Sequence, residues 1–174
     1  MNSLVKLAQK AVEKKIREGE KISPPSDLAD RFLKEKAGVF VTIKKDNDLK
    51  GCLGTYRPTQ NNIAKELIEN AIAAATKDIR FSKIKKKELK DLSYEVYVLN
   101  EPEKVQKLEE LDPKKYGVIV KTRKQSFKTG LLLPDLEGID SIEKQINTAC
   151  KKAKIDPRKK DIIIYRFTVE KYNE

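Results

Sequence analysis

The feature that most constrains this chain is a repetition. Gly38, Val39 and Val41 recur as Gly117, Val118 and Val120, Gly51 and Leu53 recur as Gly130 and Leu132, and Ile63, Lys65 and Ala74 recur as Ile142, Lys144 and Ala153. All pairs share one offset, the 79 residues from Gly38 to Gly117, with no gap. Each copy reads as a strand, a polar turn, a returning strand, a loop, a helix and a last strand. The short turns imply antiparallel pairing, and the helices are left to cover the sheet faces. The expected fold is therefore α+β, with two strand-strand-helix-strand subdomains. A chain of 174 residues is long enough for one full core or two small subdomains.

The boundaries follow from local pattern. Residues 1–37 form a helical segment, 38–100 the first repeat, 101–113 a linker and 114–170 the second repeat of one domain spanning 1–174. Leu4, Ala8, Ala11, Val12 and Ile16 recur at helical spacing and predict a helix from Ser3 to Glu18, closed by Gly19. Ser23-Pro24-Pro25-Ser26 breaks it, and Ser26 is expected to cap a short second helix through Phe32 and Leu33. Val39 to Ile43 and Leu49 to Leu53 read as a hairpin turning at Asp46, Asn47 and Asp48. A loop, Gly54 to Asn61, leads to a helix from Asn62 to Thr76. Leu92, Tyr94, Val96 and Val98 then alternate with Ser93, Glu95 and Tyr97, as in a strand with one buried face. The final strand is expected from Ile162 to Val169, and Pro102 and Pro113 bound the linker.

Composition removes several chemistries. Histidine is absent, so Ser-His-Asp and Cys-His pairs and histidine-held zinc or iron cannot be built from this chain alone. Cys52 and Cys150 are the only cysteines and have neither C-x-x-C spacing nor a disulfide framework. The longest apolar runs, Leu131 to Leu133 and Ile162 to Ile164, are far too short to cross a bilayer, and residues 1–10 lack a signal-peptide core. A cytoplasmic protein is expected. The net charge of +11 points to nucleic acid, yet 27 acidic residues are mixed among the basic ones. The lysines read as a solvated surface or as an RNA-binding face, without the regularly spaced aromatics of a single-strand binder.

The chemistry-bearing residues gather around Leu49-Lys-Gly-Cys-Leu-Gly-Thr-Tyr-Arg-Pro58. Gly51 and Gly54 flank Cys52 and let another backbone or a ligand come close. Thr55, Tyr56 and Arg57 follow, and positive charge near a thiol favours its thiolate. The helix beginning near Asn62 can aim free N–H groups at this loop, a place for an anion. The plainer reading is that Cys52 packs, as small cysteines often do. Cys150 shares an apolar helical stripe with Ile142, Ile146, Ala149 and Ala153 and is expected in the core. Arg80 suits a carboxylate or phosphate ligand, or an ordinary ion pair with Asp78 or a neighbouring glutamate. The second loop carries Asp135, Glu137 and Asp140 where the first carries Tyr56 and Arg57, and Asp140 with Glu143 resembles a capping box. The basic hairpins (Lys44, Lys45, Lys50; Lys121, Arg123, Lys124, Lys128) read as solvated turn tips.

Gly38-Val-Phe-Val-Thr42, Leu49-Lys-Gly-Cys-Leu-Gly54, the alanine-rich helix before Arg80-Phe81, and Gly130-Leu-Leu-Leu-Pro-Asp-Leu-Glu-Gly138 together resemble the AMMECR domain. Asp112-Pro-Lys-Lys-Tyr-Gly-Val-Ile-Val120, with 143–155, resembles most its prokaryotic branch, AmmeMemoRadiSam system protein A. The resemblance covers nearly the whole chain, and it implies a duplicated α+β fold with a functional site around Gly51, Cys52 and Gly54. Lys50 stands where that family's signature usually has arginine, which keeps charge but loses the bidentate fork.

The resemblance supplies no reaction. It implies two partners, a Memo-type protein and a radical S-adenosylmethionine protein. Any iron or iron–sulfur chemistry belongs to them, so no cofactor is expected here. The expectation is a binding protein whose substrate or partner lies in a cleft between the halves, lined by Gly51, Cys52, Gly54, Thr55, Tyr56, Arg57, Arg80 and Asp135. In a catalytic version Cys52 is the nucleophile, Arg57 or Arg80 the anion contact and Asp135 the base.

Overall fold

The repeated order of strand, turn, strand, helix and strand is realised twice in the computed structural model, which describes residues 2–123, 128–158 and 161–173. The chain divides into two compact units, residues 1–99 with 170–174, and residues 100–169.

In the first unit β1 (Val39–Lys45) and β2 (Asp48–Thr55) form the antiparallel hairpin. The turn residues Asp46 and Asn47 both have positive φ, 52° and 68°, which the strand twist favours and their short polar side chains tolerate. β2 runs two residues past Leu53, because pairing with β1 continues to Val39 opposite Thr55. β3 (Leu92–Leu99) pairs with the other side of β1, and the sheet order is β2-β1-β3-β8, with β8 spanning Val169–Tyr172.

One face of this sheet meets the helices. Val39, Val41, Ile43, Tyr94, Val96 and Val98 pack there with α1 (Ser3–Glu18) and α3 (Ile63–Thr76). Asn2 caps α1 by accepting from the Leu4 N–H, and Gly19, at φ 77°, closes it with its N–H on Lys15. Asn62 caps α3 in the same way, accepting from Lys65.

α2 is shorter than its sequence suggests, only Asp30–Lys34, and Ser26 is not its cap. A turn closed by Leu28 N–H on Pro25 O lies between them, and the capping position falls to Ala29, which has no side-chain bond to offer. Instead α2 is tied down by the carboxyl-terminal strand. Arg31 grips Glu170 with two nitrogens, Tyr172 donates its hydroxyl to Glu170, and the Phe32 and Tyr172 rings meet edge to face.

The second unit holds β5 (Gly117–Thr122), β6 (Thr129–Leu132), α4 (Ile142–Lys152) and β7 (Ile162–Phe167) in a sheet ordered β4-β7-β5-β6. Its core joins Val118, Val120 and Leu132 to Ala149, Cys150 and Ile155. The segment expected as a linker supplies β4 (Glu103–Lys104), which pairs with β7, and a 3-10 turn at Leu108–Glu110. The expected last strand is two strands. β7 stops at Phe167, opposite Gly117 where β5 begins, and after Thr168 the chain continues as β8 in the first sheet. The cap of α4 is Ser141, which accepts from Lys144 N–H, while Asp140 pairs with the Lys144 ammonium. Lys124 lies outside the described residues.

Candidate functional site

The alternation of β2 decides what its motif residues do. Gly51 faces α3, and a Cβ there would stand 2.2 Å from the Ala74 carbonyl oxygen. The glycine therefore admits the chain's own helix backbone. Gly130 repeats the arrangement, where a Cβ would lie 1.9 Å from the Ala149 oxygen. A Cβ at Gly54 would meet the Phe40 ring at 2.3 Å, so this residue also makes room for a neighbour.

Cys52 points the other way, away from α3, and is half-buried. Thr42 sits opposite it on β1, and Glu95 sits opposite Thr42 on β3, so the three form one row across the sheet. Thr42 directs its hydroxyl to the sulfur at 3.3 Å. Glu95 accepts from Tyr97 Oη, Lys44 Nζ and Lys171 Nζ. Burial works against the charged form of Glu95, but these three donors outweigh it and hold its carboxyl below the ordinary value.

The backbone of Cys52 is gripped on its open side. β2 is an edge strand, and an unpaired edge is a liability. The Cys52 N–H donates to Asp78 Oδ2 at 2.9 Å, and its carbonyl accepts from Arg80 Nη2 at 3.1 Å. Arg80 in turn holds Asp78 through Nε at 3.0 Å and Nη2 at 2.7 Å. The two side chains thus stand in for one residue of a neighbouring strand. Only 3% of the Asp78 side chain is exposed, against 52% for Arg80, so the carboxylate lies beneath and the guanidinium faces solvent. Arg80 is the largest cause that brings the Asp78 carboxyl down, with burial opposing it and the Cys52 N–H adding to it, to about 2.

The loop after β2 is fastened by a carboxylate that the sequence reading passed over. Glu66, fully buried on α3, accepts from Thr55 Oγ1, from Thr59 N–H and from Gln60 N–H, the last two at 2.7 Å. Thr55 Oγ1 also accepts from Asn70. At the helix start itself Ile63 N–H donates to Glu35 O and Lys65 N–H to Asn62 Oδ1, and Thr55 serves the loop. Arg57 is exposed and lies over the Tyr56 ring at 5.6 Å. Gly51, Cys52, Gly54, Thr55, Tyr56, Arg57 and Arg80 all belong to the first unit. Asp135 belongs to the second, exposed, at φ 54°, with its N–H on Pro113 O. Cys150 is fully buried, and burial pushes its thiol up, with Asp156 adding to the effect.

The ordinary ion pair expected between Arg80 and Asp78 is present, while its bond to the Cys52 N–H, and the places of Thr42, Glu95 and Glu66, were not singled out from the sequence, though three signals pointed to them. Thr42 and Glu95 are the polar members of strands with period-two alternation. Gln145 repeats Glu66 at the common offset and is equally buried, donating to Tyr116 O. Asp78-Ile79-Arg80 returns as Asp156-Pro157-Arg158, one residue short of that offset, with the same bonds from the arginine amide, Nε and Nη2. Among the described residues no group of three or more histidine, cysteine, aspartate or glutamate side chains is arranged to hold a metal. No helix among them is long and apolar enough to cross a membrane.

The family model described as AMMECR1 matches residues 5–172. A Thermotoga maritima protein is 47% identical over 169 residues, covering 97% of this chain and 95% of the relative. A longer Clostridium acetobutylicum protein is 45% identical over 98% of this chain, which spans only 36% of that relative. The crystal structure of an uncharacterized protein of Pyrococcus horikoshii, PH0010, superposes with a TM-score of 0.90 at 32% identity, covering 98% of this chain and 89% of that one.

Proposed function

The chain belongs to the AMMECR1 family, and we propose that it acts in the cytoplasm as the binding component of a modification system, beside a Memo-type protein and a radical S-adenosylmethionine protein. In this reading the Cys52 face of the first unit receives the substrate or partner. One observation carries it: both backbone polar groups of Cys52 are held by one aspartate–arginine pair, buried at the carboxylate and open at the guanidinium, while the cysteine itself stays half-buried with the Thr42 hydroxyl donating to its sulfur. A cysteine that only filled space needs none of this.

Gly51, Gly54 and Thr55 build the end of the strand that carries the thiol, Tyr56 and Arg57 stand where the chain leaves it, and Arg80 flanks it. If the protein is itself an enzyme, Cys52 is the nucleophile, Arg57 or Arg80 the anion contact and Asp135 the base. Asp135→Asn tests the enzyme version: it is expected to abolish turnover, and full function would remove Asp135 as the base. The test of the main reading is complementation of a strain deleted for this gene. Cys52→Ser is expected to lose function, and full function would remove Cys52 from the account. Size-exclusion chromatography of the chain co-expressed with the two partners from its own genome tests the system, and elution apart from both would end that part.

The lysine excess supports a second reading, an RNA-binding module. It predicts affinity falling with salt at a log–log slope of roughly one unit per phosphate contact. A flat salt dependence rejects it.

A further inference from the structure

The duplication places the same helix in both units and covers it in only one. In the first unit Glu66 and Asn70 turn toward the strands and the loop that follows β2. Ala64 and Ile68 stand two positions before them, nearly opposite on the helix, and are still only 0% and 1% exposed. What buries them is the helical layer, with α1 lying along α3.

The second unit has no such layer. Among its described residues α4 is the only α-helix, and the chain before β5 supplies a 3-10 turn at Leu108–Glu110 instead. At the common offset Ile142 and Ile146 stand for Ile63 and Leu67, and Glu143 and Asn147 for Ala64 and Ile68. Both isoleucines are half-buried where their counterparts are sealed, and Glu143 and Asn147 are exposed. Between this face, Leu108 and Pro157 runs an open groove of about 420 Å³. Leu108, 49% exposed, leaves a large apolar side chain at its mouth.

The groove is apolar along its floor and acidic at its rim. Leu108, Ile142, Ile146 and Pro157 supply the floor, Glu109 and Glu143 the rim. Neighbouring carboxylates are paired, Glu110 with Arg166 and Asp140 with Lys144, whereas Glu109 and Glu143 have no cationic partner among the described residues. An apolar floor with two open carboxylates complements an apolar stripe with a basic flank. A second copy of the chain would bring its whole net charge of +11 against another +11, so a basic helix of a different protein fits better.

We propose that this groove docks an amphipathic helix of a partner protein. The helix lays its apolar stripe against Leu108, Ile142 and Ile146 and sets lysine or arginine side chains at Glu109 and Glu143, covering α4 as α1 covers α3. The site is independent of Cys52, which belongs to the first unit.

The sequence of α1 supplies the probe, an amphipathic helix with five basic and two acidic side chains. A labelled peptide of residues 3–18, blocked at both ends, is titrated with the full chain by fluorescence anisotropy, beside a version whose five basic residues are glutamine. General attraction to a chain of +11 favours the glutamine peptide, so the order of affinities is diagnostic. The basic peptide is expected to bind one to one, roughly three- to tenfold tighter than the glutamine version. Leu108→Asp weakens it about tenfold or more, the size of one lost anchor. Glu109→Gln with Glu143→Gln removes the difference between the peptides. All three positions are exposed, and circular dichroism confirms that the variants stay folded. No saturation below about 1 mM, tighter binding of the glutamine peptide, or binding that Leu108→Asp leaves unchanged overturns the inference. So does a dimer of the chain alone in sedimentation that Leu108→Asp abolishes, which gives the groove to a second copy.

Discussion

Asp78→Asn tests the grip on Cys52 through its dependence on pH. The carboxyl titrates at about 2 in the folded chain, against an ordinary value of 3.8. A difference of nearly two units is worth at most about 2 kcal/mol at neutral pH, and solvent screens part of it because Arg80, its main cause, is half exposed. The folded value is the lower one, so the unfolded chain takes up the proton first. The contribution is whole above 3.8 and is lost as pH falls toward 2, with roughly half remaining at pH 3. Asparagine has no such titration. Urea denaturation followed by circular dichroism, on wild type and Asp78→Asn at several pH values, should show a stability gap that narrows by about 1 kcal/mol between pH 6 and pH 3. All other carboxylates titrate in both proteins and cancel in the difference. A gap that stays constant with pH, or widens as pH falls, would refute the account, because the loss would then come from shape and not from the buried charge.

Other expectations follow from the same structure. Glu66→Ala strands the Thr59 and Gln60 N–H groups and opens a cavity, at a cost of about 3–5 kcal/mol, whereas Glu66→Gln keeps one acceptor oxygen and costs about 1–2 kcal/mol. Thermal melts that give both variants the same loss would remove the charge-assisted bonds from the explanation. Gly51→Ala and Gly130→Ala each drive a methyl group into helix backbone and are expected to destabilise by about 1–3 kcal/mol or more, and a neutral result at either would show that the helix can move aside. Cys150 should resist iodoacetamide in the native protein and react fully in urea, and native modification at Cys150 would contradict its burial.

The residues themselves determined most of the architecture. The two repeats, both hairpins, the full span of α1 and the core place of Cys150 rest on local periodicity and on turn and cap residues, which act within a few positions of one another. The lack of histidine settled, before any fold was known, which catalytic pairs and metal centres were out of reach. What only the tertiary structure decided involves partners far apart in the chain. Asp78 and Arg80 close on Cys52 across 26 and 28 residues, Glu170 returns to Arg31 across 139, and β8 leaves its own repeat to join the first sheet. The grip on Cys52 and the arrival of β8 fill open edges, and Glu170 fastens α2 to the last strand. Which edge is open and which group is buried is set only when the whole sheet has assembled, so no window of sequence around Cys52 holds that information.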